Sequence, residues 1–297
     1  MMTVRSEAHA DRLAFAALLA GNLFLAFGPW LVRLADVGAV AAGFWRLALA
    51  VPLLLILAVR IDGAGALRPP RGLLLAIVLG GLFFAADLAV WHVGIRMTKL
   101  ANATLFGNTA SLVFAVYGFF VARALPSQVQ GMALALAAIG GALLLGSSYE
   151  LSPDHLAGDL LSILAGLLYF LYLVAIDRAR RTLPALSVLS LATVAGAPPL
   201  LLAAAALGET ILPAAWTPLL LLSLGSQVLG QGLLVFAIGR LSPLVVGLGL
   251  LTQPIVTASV GWLAYGERLG PVDLVGAVLI AAALVLVRLQ PRAPADI

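Results

Sequence analysis

The chain has 297 residues, of which 63% are apolar and only 10% charged, with a formal net charge of +4. Water-soluble chains carry about 25% charged residues, so there is too little polar surface here to clothe a body in water, and a bilayer must supply the rest of the solvent. The absence of cysteine excludes disulfides and thiolate metal sites, and arginines scattered through short loops make no nucleic-acid footprint.

Residues Met1 to Arg12 form a polar tail. The apolar run behind it is about 20 residues long, which is span length rather than the shorter core of a cleavable signal. Reading onward, the sequence predicts an all-α membrane protein with ten transmembrane helices, at about 13–34, 38–59, 72–95, 100–121, 128–146, 158–176, 185–207, 215–239, 243–264 and 271–288. Turn chemistry separates them, as at Arg68-Pro69-Pro70-Arg71 and Ser152-Pro153-Asp154. The loops are short, so neighbouring spans form antiparallel hairpins. With a cytoplasmic N-terminus, twelve arginines fall on the inner side, against Arg33, Arg96, Lys99 and Arg268 outside; Arg46 lies within a span. That bias predicts both termini in the cytoplasm.

The halves resemble each other. Thr98 to Leu125 aligns with Ser242 to Leu269 at an offset of 144, which also sets Asp87 against Gln231. Five spans per half is an odd number, so the expected organisation is two inverted five-helix repeats, 13–146 and 158–288. An outer linker at 147–157 joins them, and cytoplasmic tails cover 1–12 and 289–297. Inverted repeats are a signature of secondary transporters.

Several stretches carry a family resemblance. Gly266-Glu267-Arg268-Leu269, after the ninth span, resembles the glutamate–arginine corner of EamA-type proteins in the drug/metabolite transporter superfamily. Ala86 to Thr104, with Trp91-His92-Val93-Gly94 before the turn, is similar to that family's third-to-fourth span junction. Phe44-Trp45-Arg46-Leu47-Ala48-Leu49-Ala50 is similar to its second span. One departure stands out: Arg123 occupies the place that Glu267 holds in the other half. The resemblance covers essentially the whole chain and is closest to YddG-like bacterial amino-acid exporters. It implies export of amino acids, drugs or metabolites across a bacterial inner membrane, with no cofactor.

Polar groups within apolar spans mark candidate sites. Asn108 with Thr109, and their counterparts Thr252 with Gln253, fall near mid-depth, and Pro254 removes a backbone donor beside them. They are either a solute site or interhelical glue. Gln227 and Gln231 share a face of the eighth span, and Asp87 and Trp91 share one on the third. Tyr169 and Tyr172 sit at mid-depth on the sixth span, as pocket wall or as core. His92 is a possible proton group nearer the surface, or a packing residue. Arg46 and Asp87 match in depth on adjacent spans and are opposite in charge, which predicts a direct or water-bridged pair, structural or proton-coupled. Gly28-Pro29 and Pro198-Pro199 are candidate kinks.

The expected partners are a small-molecule substrate and the lipid bilayer. No Walker-type loop, His-Glu-x-x-His pair or mid-membrane lysine is present, and the chain has three histidines in all. That argues against nucleotide-driven transport, an intramembrane enzyme and a retinal protein. No ring of like charges or repeated carbonyl loop marks a channel filter. The residue pattern suits a neutral or aromatic amino acid, and a hydroxylated metabolite nearly as well.

Overall fold

The computed structural model describes residues 2–98, 103, 106–146, 153–256, 259 and 270–289. The Gly266–Leu269 corner and Lys99 lie outside them. No strand occurs among the described residues. The helices are labelled in chain order. Helix α1 is Met2–Ala26, resumed after Phe27 as Gly28–Leu34. Next come α2 (Ala39–Asp62), α3 (Arg71–Gly94), α4 (Thr109–Ala122) and α5 (Gln128–Gly146). Then follow α6 (Leu156–Arg180), α7 (Ala185–Ala206), α8 (Thr217–Ile238), α9 (Pro243–Val256) and α10 (Pro271–Leu289). Seven helices among the described residues are long and apolar enough to cross a membrane, while α4, α5 and α9 are shorter apolar helices.

The interruptions follow from the sequence. Pro29 has no N–H to give to the Leu25 carbonyl, so α1 pauses at Phe27 and restarts with proline in its first turn, where the missing donor costs least. Pro198 and Pro199 behave differently. They lie inside α7 without interrupting it, Pro198 exposed and Pro199 half-buried. The middle of α8, Leu222–Gln231, is π-helical, a widening often found at functional sites.

Helix α3 packs on α6 and α7, and α8 packs on α1 and α2. Helix α2 lies against α7, α4 against α9, and α5 against α10. One apolar core joins α1, α2, α3, α6, α7 and α8 through residues such as Leu54, Ile77, Ile176 and Leu200. A second, built on Ala133, Ala137, Leu248, Ile280 and Ala283, fastens the α5–α10 pair to α4 and α9.

Helices α2 and α7 also cap each other. The Glu209 carboxylate, just after α7, accepts from the backbone N–H of Ala41 at 2.8 Å and of Val40 at 3.4 Å, in the first turn of α2. The Asp62 carboxylate, at the end of α2, accepts from the Ser187 N–H and hydroxyl, both at 2.8 Å, in the first turn of α7. Each acid sits at the positive end of the other helix and takes up its free donors.

A candidate solute site between broken helices

A cavity of about 210 Å³ lies in the interior, bounded by α1, α2, α3, α4, α6, α8 and α9. Its wall is drawn from the second half of α1 (Leu25 to Val32), the first half of α2 (Gly43, Arg46) and the last turns of α3 (Phe84 to His92). It therefore occupies the half of the bundle where α1 ends and α2 begins. The opposite half is packed, with Leu54, Ile77, Ile176, Val188 and Val235 fully buried.

Among the residues singled out from sequence, Asn108, Gln231, Gln253, Trp91, Tyr169, Arg46, Asp87 and His92 line this cavity. Thr109, Gln227, Thr252 and Tyr172 stand outside its wall, because their polar atoms are committed elsewhere. The Tyr172 hydroxyl donates to Gln231 Oε1 at 3.1 Å, and its ring stacks on Phe84 and Tyr169. Thr109 Oγ1 donates to the Phe106 carbonyl at 2.6 Å, and Thr252 Oγ1 to the Gly249 carbonyl at 2.7 Å. His92 is buried with its Nδ1 lacking a partner.

Arg46 and Asp87 face the same cavity without forming an ion pair with each other. Arg46 Nε instead donates to Gln227 Oε1 at 3.1 Å, and the guanidinium lies over the Phe84 ring, 5.4 Å from its centre. Gln227 Nε2 donates in turn to Thr193 Oγ1 at 3.0 Å, whose hydroxyl donates to the Leu189 carbonyl at 2.7 Å. This chain runs from the cavity wall into α7 and holds Arg46 in one orientation. Matching depth and charge had pointed to Asp87 as the partner; rotation about the two helix axes gives Arg46 a neutral amide on α8.

The mid-depth polar pairs mark breaks in their helices. Asn108 precedes α4 at φ −71°, ψ −7°, and Leu251 interrupts α9 at φ −68°, ψ −5°. Both ψ values depart from the helical value near −42°, and the following threonine in each case bonds three residues back. The geometry thus pairs Thr109 with Thr252, one residue off the sequence offset of 144. Pro254 adds to the second break, since it offers no N–H to the Leu250 carbonyl.

Asn22 is the residue that sequence reading missed. It is fully buried in the middle of α1. Its Nδ2 donates to the Gly249 carbonyl at 2.7 Å and to Thr252 Oγ1 at 3.3 Å, and its Oδ1 accepts from Gln253 Nε2 at 3.2 Å. A lone amide in an otherwise apolar span was the available signal. Its counterpart on the other side is Gly166 of α6, where an added Cβ would lie 2.8 Å from Thr109 Oγ1 and 3.1 Å from the carbonyl oxygens of Phe106 and Gly107.

A bundle of membrane-length apolar helices around a cavity lined by amides, aromatics and two opposite charges defines a multi-pass membrane protein with room for a small solute. Residues 156–289 match the EamA-like transporter family, and that match supports membership of the drug/metabolite transporter superfamily. A solved structure, described only as a crystal structure of a protein, is similar with a TM-score of 0.76 at 18% identity, over 96% of this chain and 99% of that one. At that identity the likeness is one of fold. No curated protein sequence matches the chain.

Proposed function

We propose that this protein is a secondary transporter of the bacterial cytoplasmic membrane that exports neutral or aromatic amino acids by alternating access. In this reading the ten apolar helices are ten spans in two inverted five-helix halves, with both termini in the cytoplasm. The observation that carries it is the shared cavity beside two helix breaks, each followed by a threonine that bonds three residues back, the arrangement that solute sites take in carriers built from inverted repeats. The packing pattern supports the repeat. Replacing each helix of the first half by the one five places later turns α3–α6 into α8–α1 and α3–α7 into α8–α2, and leaves α2–α7, α4–α9 and α5–α10 unchanged; all of these pairs are in contact. The crossed caps at Asp62 and Glu209 obey the same exchange. With a cytoplasmic N-terminus the cavity lies in the outer half of the bundle, an outward-facing arrangement, and closure there would bring Arg46 and Asp87 together.

Volume favours a small solute. Pockets for drug-sized ligands run to roughly 300–1,000 Å³, against about 210 Å³ here. Purified protein in liposomes tests the reading. Saturable counterflow of a labelled neutral amino acid is expected; a non-saturating ion current would mark a channel instead. Gln253→Leu loses a single weak bond to Asn22 and one polar group of the cavity wall, so flux should fall while expression and folding stay near normal. For orientation, a cysteine placed at Ser148 should react with an impermeant reagent from outside the cell; labelling only in inverted vesicles refutes it.

A further inference from the structure

We infer that Arg46 and Asp87 are the two poles of an α-amino-acid site, Arg46 receiving the solute carboxylate and Asp87 its ammonium. The inference rests on the carrier reading above and assigns the residues that set its specificity. Asp87 is half-buried on the cavity wall, and among the described residues no protein group hydrogen-bonds or ion-pairs with it. A carboxylate at membrane depth is costly unless something of opposite charge meets it. The natural candidate, Arg46, gives its Nε to Gln227 and lies on the wall of the same cavity without a direct ion pair to Asp87.

What Arg46 keeps available is equally specific. Its Nε is bonded to Gln227, and Gln227 is itself fixed by Thr193. Among the described residues the two terminal amino groups have no protein acceptor. A guanidinium held by one nitrogen and free at the others is prepared for the fork-like hydrogen bonding that carboxylates accept. The opposite charges come from different helices, α2 and α3, across one space. Trp91 stands one turn beyond Asp87 on the same face, and with Tyr169 it gives that space an aromatic wall for the solute side chain.

Charge arithmetic then selects the solute. A zwitterion satisfies both wall charges and brings no net charge. An amine leaves Arg46 unmet, and a simple carboxylate leaves Asp87 unmet, so each forfeits one charge-assisted contact. The aromatic wall alone distinguishes none of the three.

The test is counterflow of labelled phenylalanine in liposomes, with three unlabelled competitors: phenylalanine, phenethylamine, which lacks the carboxylate, and 3-phenylpropionate, which lacks the ammonium. On the unaltered protein both truncated compounds should compete at least about tenfold more weakly than phenylalanine, the ratio expected from losing one good polar contact. Asp87→Asn should narrow the gap for 3-phenylpropionate only, and Arg46→Gln for phenethylamine only. Equal competition by either truncated compound on the unaltered protein overturns the assignment, and that measurement decides even if the variants fail to fold. Variants that fold and weaken all three competitors alike overturn it too, while leaving the carrier reading intact. Absence of saturable flux for any neutral amino acid defeats the carrier reading, and the assignment with it.

Discussion

Helices α4 and α9 face the same difficulty and meet it by different means. Each is broken beside the cavity at a residue with ψ near zero, −7° at Asn108 and −5° at Leu251. Each follows the break with a threonine that bonds three residues back, at 2.6 Å and 2.7 Å. Carbonyls released inside a membrane must be satisfied within the protein. At α9 an amide from a third helix enters: Asn22 donates to the Gly249 carbonyl and accepts from Gln253. At α4 there is no such side chain at the matching place on α6; Gly166 lets backbone approach backbone. The α9 break is tied by directional bonds, the α4 break by steric fit. Ties of the first kind also aim a side chain, and the one aimed here is Gln253, on the cavity wall.

The comparison is broken most severely by Asn22→Leu. This variant loses the bonds to the Gly249 carbonyl and to Gln253, and the longer one to Thr252 Oγ1. Hydrogen bonds between membrane helices are worth about 0.6 kcal/mol on average and up to about 1.7. All three lost together, with leucine forced among polar atoms, should lower stability by about 3 kcal/mol. Amino-acid counterflow should fall further than in Gln253→Leu, because the α9 break loses its tie as well as its aim. Unfolding of the purified protein in detergent measures the first effect and liposome flux the second. Retention of normal flux would mean that Asn22 is glue alone.

Gly166→Ala probes the other break and should cost less. The methyl group would press on Thr109 Oγ1 and two carbonyl oxygens, and overpacking of this kind costs about 1–3 kcal/mol. Since the nearest neighbour is the threonine hydroxyl, Thr109→Ala should relieve part of the strain. The double variant would then be more stable than the two single losses predict. Additive losses would show that the carbonyl contacts alone decide the fit.

Much of this frame was legible in the sequence because one-dimensional patterns carry it. Apolar run length places the seven long helices, and the polar interruptions at Asn108 and Gln253 fall where α4 and α9 break. Depth along a span set Arg46 level with Asp87 and Tyr169 at mid-depth, and all three stand on the wall of one cavity. What remained hidden depends on which helices are neighbours and on how each is rotated. Arg46 and Asp87 match in depth, yet Gln227, 181 positions away from Arg46, is the bonded partner. The Glu209 cap on α2 spans 168 positions. Asn22 reads as an ordinary amide until α1 is known to lie beside α9. The π-helical middle of α8 has no marked signature in its residues, and the two amides within it meet different partners: Gln227 bonds Arg46 and Thr193, while Gln231 accepts from Tyr172 and lines the cavity.

The finest test replaces the two threonines in turn. Thr109→Val and Thr252→Val each remove one hydroxyl bond to a carbonyl and keep nearly the same shape, so each should cost about 0.6 kcal/mol. They should not cost quite the same. Thr252 Oγ1 also accepts from Asn22 Nδ2 at 3.3 Å, whereas Thr109 faces a glycine across its break. Thr252→Val should therefore be the more costly of the two by a few tenths of a kcal/mol, the scale of a long, shared hydrogen bond. In the Asn22→Leu background that excess should vanish, because the donor is gone, and a double-mutant cycle on unfolding in detergent reads the difference directly. If Thr109→Val proves the costlier change, or if the excess at Thr252 survives without Asn22, then the break in α9 is not held by the α1 amide. The two helices would then differ in sequence alone and not in the way their breaks are held.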